Sequence, residues 1–163
     1  MKASLQIASL GLVVATAAGA VLAIAGVELV DVGEPHDALT NTAGTVAALV
    51  GHNAVVVLWP LALVALGWPA IPVARAVGDA LVAGQLLAHG ALLGSALAQH
   101  HGLWRYLTHL PVELAALTLP AAVWVAARRG ASVTSRGLAG TAAIVLTLVV
   151  AAAALETYLV PLA

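Results

Sequence analysis

Hydrophobic positions along this chain collect into long runs that are broken by charged residues, glycines and prolines. A bilayer core of about 30 Å is crossed by around 20 apolar helical residues, and five runs reach that length. They predict spans at about 4–27, 52–71, 76–98, 111–127 and 138–159. The prolines at 60, 69 and 72 predict a kink and then a break in the second span. A shorter stretch of small residues, TAGTVAALVG at 42–51, reads as an interfacial helix leading into it. The expected fold is an all-α integral membrane bundle of about five transmembrane helices, a single domain over residues 1–163.

Composition strengthens this reading. The chain is 63% hydrophobic with a mean hydropathy of +1.07, against roughly 45–50% apolar residues in a soluble domain. Lys2 ahead of the first run also fits a signal peptide, but the run outlasts the roughly 7–15 apolar residues such a peptide uses. It reads as an uncleaved span. A formal charge of −1 with six scattered basic residues gives no basic face for nucleic acid. The absence of cysteine excludes disulfides, thiolate metal ligands and cysteine nucleophiles.

Charge also orients the spans, because loops rich in Lys and Arg stay on the cytoplasmic side. Lys2 places the N terminus inside, and the acidic 28–42 loop fits outside. Arg75, Arg128, Arg129 and Arg136 fall inside in turn, while Arg105 alone disagrees. The expectation is a multi-pass cell-membrane protein with a cytoplasmic N terminus and an extracytoplasmic C terminus. Polar residues from four segments then gather at the outer end: His52 and Asn53, His100 and His101, His109 with Glu113, and Glu156. Arg75 and Asp79 mark the other end, at a four-residue spacing that suits a helical ion pair.

An ionisable residue inside a span is costly and therefore a functional candidate. For Glu113 a plainer account exists: with Pro111 at the first helical position, Glu113 would be the third and face the positive end of the helix dipole. Glu156 has no such account, since it sits near a C-terminal end, where the dipole disfavours a carboxylate. His89, deep in the third span, is expected to hydrogen-bond a neighbouring helix. His52, His109, Glu113 and Glu156 could ligate Zn²⁺, though no HExxH or similar tight spacing is present. A proton or substrate relay through the same groups is a second reading. No GxSxG or SxxK motif points to hydrolysis. A third reading is structural, a polar network joining span ends. Gly90 and Gly94 in GALLG form a small-xxx-small surface for close helix approach. The small-residue faces of spans three and five are expected to pack on partners or on copies of the same chain.

Three stretches together resemble the stage II sporulation protein M family of membrane proteins: HN at 52–53, THLPVELAAL at 108–117 and AALETYLVP at 153–161. The resemblance extends over about residues 45–161. Thr108 and Leu110 stand where that family has proline and glycine around the histidine, and Gly78-Asp79 is the nearest match to its Asn-Gly feature. The resemblance implies a non-enzymatic polytopic protein, without a cofactor, that works in complexes. Its implied partners are other membrane proteins, such as a cell-wall hydrolase complex or an ABC-type transporter. Among its implied roles is export of, or immunity to, antibacterial peptides.

Overall fold

The computed structural model describes residues 1–27, 29–30, 43–99 and 108–159. Among them the chain is all-helical, with α1 (Lys2–Ile24), α2 (Ala43–Ala65), α3 (Pro72–Gln99), α4 (Leu110–Arg128) and α5 (Ser135–Leu159). All five are long and apolar enough to cross a membrane, which fits a multi-pass membrane protein. Most of the acidic 28–42 loop, His100, His101, Arg105 and Pro161 lie outside the described residues.

The second span differs from expectation at both ends. No separate interfacial helix precedes it: Ala43 begins a continuous α2 that runs through Gly51, His52 and Asn53. A single helical glycine costs about 1 kcal/mol and breaks no hydrogen bond, so Gly51 does not interrupt the ladder. The helix ends at Ala65 rather than 71 because Gly67 takes a left-handed φ of 73°, the usual device for closing a helix. Pro69 then sits in a single 3-10 turn, Trp68–Ala70, and Pro72 opens α3. At the start of α5 the Thr134 hydroxyl caps the helix by accepting the Gly137 N–H at 3.1 Å.

α4 lies at the centre. It packs against α1, α2 and α5 and more lightly against α3. Ala116–Thr118, Pro120–Trp124 and Ala126 are all buried, the all-round burial of a helix enclosed by others. Trp124, 1% exposed, is among its largest core side chains. It packs against Gly78 of α3, where a Cβ would collide with the outer edge of the indole ring.

α1 and α3 run parallel and touch backbone to backbone. α1 offers Leu12, Ala15 and Gly19, and α3 offers Gly90 and Gly94. A Cβ on Gly90 would lie 2.7 Å from the Ala15 Cβ and 2.8 Å from the Leu12 carbonyl oxygen. One on Gly94 would strike the Thr16 carbonyl, and one on Gly19 the Ala91 carbonyl. The small-residue face of the third span is therefore filled by the chain's own first helix, not left for a partner or a second copy. Beyond α1 the contact continues, as the Leu29 N–H donates to Ser95 Oγ at 3.2 Å and Gln99 Nε2 donates to the Val30 carbonyl at 3.2 Å.

α3 is joined to α2 by a different device. Pro60 lies inside α2 and has no N–H, so the carbonyl four residues earlier loses its helical partner. That carbonyl belongs to Val56, and the side-chain amide of Gln85 in α3 donates to it. In hydrocarbon such a freed carbonyl has no water to turn to, and a neighbouring helix supplies the donor.

Two predictions follow from these contacts. Gly94→Ala forces two backbones apart and lowers the free energy of unfolding in detergent by roughly 1–3 kcal/mol. Gly84→Ala, with nothing within 4 Å of the added Cβ, leaves it unchanged or slightly raises it. For the second, Gln85→Leu destabilises the native chain but loses most of its effect in a Pro60→Ala background, where α2 satisfies Val56 itself. A thermodynamic cycle over the two sites should show coupling of about 1 kcal/mol; additive effects would exclude the link.

Candidate functional site

The helices alternate in direction, so the two ends of the bundle can be compared. Lys2, Arg75, Arg128, Arg129 and Arg136 all lie at one end, near the starts of α1, α3 and α5 and the end of α4. Asp79 sits there too. Its ion pair is with Arg128 of α4, at 2.7 Å from Nη2 to Oδ2, and not with Arg75. Arg128 Nε reaches both carboxylate oxygens at 2.8 Å, and Trp124 Nε1 donates to Oδ1 at 2.9 Å. A guanidinium and an indole from one neighbouring helix meet the carboxylate directly. That geometry outcompetes Arg75, one turn back on the same helix.

Among the described residues, the other two acids, Glu113 and Glu156, lie at the opposite end. His109, Glu113 and Glu156 each bring a ligand-type atom within 4.8 Å of the others. α4 starts at Leu110, which makes Pro111 its second residue and Glu113 its fourth, one later than expected. His109 occupies the N-cap without a side-chain cap bond. Its Nε2 stands 3.9 Å from Glu113 Oε2, beyond hydrogen-bond reach. The other Glu113 oxygen accepts from Asn53 Nδ2 at 3.4 Å, a long bond that orients more than it binds. Glu113 is thus turned sideways toward α2 and α5, and the helix dipole is not its whole environment.

Asn53 is not at the start of a span. Ten residues of α2 precede it, about 15 Å of helix. His89 likewise lies ten residues before the end of α3. α4 therefore begins below a rim formed by α2 and α3, and the cluster is recessed into the bundle. His52, one residue from Asn53, points away and is exposed. It does not join the cluster.

A cavity of about 130 Å³ opens beside Glu113. Val57, Leu93, Leu117 and Val149 give it an apolar wall, and Asn53, His89 and Glu113 supply its polar groups. His89 bonds its own helix rather than a neighbour: Nδ1 donates to the Gln85 carbonyl at 2.9 Å. A carbonyl can only accept, so the proton is on Nδ1, and a neutral ring leaves Nε2 as its lone-pair nitrogen. Thr157 Oγ1 and His109 Nδ1 are buried with no hydrogen-bond partner among the described residues.

Sequence reasoning did not single out Gln85, Trp124 or Arg128 as partners. The available signals were a lone glutamine in an apolar run and a proline inside the neighbouring span. Compared with family models, curated proteins and solved structures, the chain finds no match.

Proposed function

We propose that this chain is a non-enzymatic component of a membrane transport system, in which the recessed pocket takes up a proton or small cation. The observation that carries the reading is a charge imbalance. At one end the acid Asp79 is met by Arg128. At the other, Glu113 and Glu156 are met only by an imidazole and an amide among the described residues. Two half-buried carboxylates held close together favour a nearby positive charge, and a site without a fixed cation can take a mobile one. The adjoining cavity gives that ion a place to arrive. With the positive-inside rule applied to the five basic residues at one end, the N terminus is cytoplasmic and the pocket opens outward in the cell membrane.

Reconstituted liposomes test this directly. With a pH-sensitive dye inside, the native chain should pass protons well above the leak of protein-free vesicles. Glu156→Gln and His109→Gln should return the flux to that leak. Equal flux in native and variant proteins would remove the cluster from any transport role.

A second reading is favoured by His89, an exposed imidazole midway along an apolar helix. An exposed polar ring in lipid is costly, and another membrane protein could cover it. The resemblance to stage II sporulation protein M proteins supports the same role, a subunit of a membrane complex of transport or envelope-remodelling type. Mild solubilisation of native membranes should then yield the chain in a larger assembly. Recovery as a monomer with full flux alone would sink this second reading.

A further inference from the structure

We infer that His109, Glu113 and Glu156 bind a divalent transition-metal ion, with Zn²⁺ as the representative probe. This rests on reading the pocket as a cation site and names the class of cation. Spacing is the first argument. A proton shared between His109 and Glu113 would draw them to about 2.7–2.9 Å, whereas Nε2 and Oε2 stand 3.9 Å apart. Two ligands held about 2.1 Å from one tetrahedral ion lie about 3.4 Å from each other. The observed gap is too wide for a shared proton and within a small side-chain adjustment of a metal shell.

The second argument comes from His109 itself. The residue is 8% exposed, and its Nδ1 is buried with no hydrogen-bond partner among the described residues. Its Nε2 contact with Glu113 is too long to be a hydrogen bond. Nε2, the nitrogen that faces Glu113, is therefore uncommitted and free to serve as a metal ligand.

Charge and donor type agree. Two carboxylates and one neutral imidazole carry −2, and a divalent ion brings the group to neutrality. The chain has no cysteine, so the donors are nitrogen and oxygen only, a set suited to Zn²⁺ and its first-row neighbours. Asn53 holds Glu113 through Oε1, which leaves Oε2 on the His109 side. Such outer hydrogen bonds fix ligand orientation in metal sites. Three protein ligands leave a fourth position for water or another small ligand.

The test uses the full-length chain in nanodiscs with its affinity tag removed. After equilibration with Zn²⁺ and dialysis, elemental analysis should give one ion per chain. Competition with a chromogenic chelator should show affinity weakened tenfold or more by Glu156→Gln and by His109→Gln. His52→Gln, outside the cluster, should bind as the native chain does. Less than one ion per native chain, or unchanged affinity in both cluster variants, overturns the proposal. Co²⁺ spectroscopy of the native chain needs no variant: visible bands of a nitrogen and oxygen ligand field should appear, and a spectrum identical to buffered Co²⁺ overturns it equally. Failure here with a Glu156-dependent proton flux leaves the transport reading standing and only the metal wrong. Metal binding without any flux does the reverse.

Discussion

Inside a bilayer each polar group has to be answered by another part of the protein, and most of the particular features of this bundle follow from that constraint. Its sharpest expression is the carbonyl of Val56. Pro60 deprives it of a donor, and Gln85 supplies one from the next helix. The same glutamine offers its own carbonyl to His89. One proline in α2 thereby accounts for a glutamine in α3. α2 and α3 otherwise touch little, so this polar link does much of the work of holding them side by side.

The remaining assembly is apolar and close-packed. Without a hydrophobic drive between helices in lipid, association depends on contact area and on backbones that can approach closely. Gly19, Gly90 and Gly94 permit that approach between α1 and α3, and Gly78 permits it for Trp124. α4, enclosed on several sides, fixes Trp124 and Arg128 at one end and His109 and Glu113 at the other. The chemistry of both ends is therefore carried by a single well-anchored helix.

The five spans were legible because their signal is summed over some twenty residues each. Single residues at the boundaries were less so. Gly67 ends α2 through its backbone conformation, while the nearby Pro69 and Pro72 carried the stronger sequence signal. The small-residue stretch 42–51 reads as a separate interfacial helix, yet it is the first part of a continuous α2, since one helical glycine at 51 breaks no hydrogen bond. That error placed Asn53 at a helix start instead of ten residues inside. Pairing across helices was hardest to read. The i, i+4 rule offered Arg75 to Asp79, but only the packing of α4 against α3 shows that Arg128 is nearer. The grouping of His109 with Glu113 was visible from spacing alone. The arrival of Glu156 depended on α5 running antiparallel to α4, a consequence of the span count.

The two ends of the bundle answer the same electrostatic problem differently. At the basic end a carboxylate meets a guanidinium and an indole in a geometry that is complete within the chain. A completed pair of that kind has little reason to exchange partners, and it suits a structural clamp. At the recessed end two carboxylates share one uncommitted histidine and a long amide contact. Among the described residues no arginine or lysine stands there to neutralise them. If structure alone were the purpose, a single basic residue on α2 or α5 would serve as Arg128 does. Leaving that charge to something that arrives from outside makes the occupancy of the site variable, and variable occupancy is the minimum requirement for binding or passing an ion.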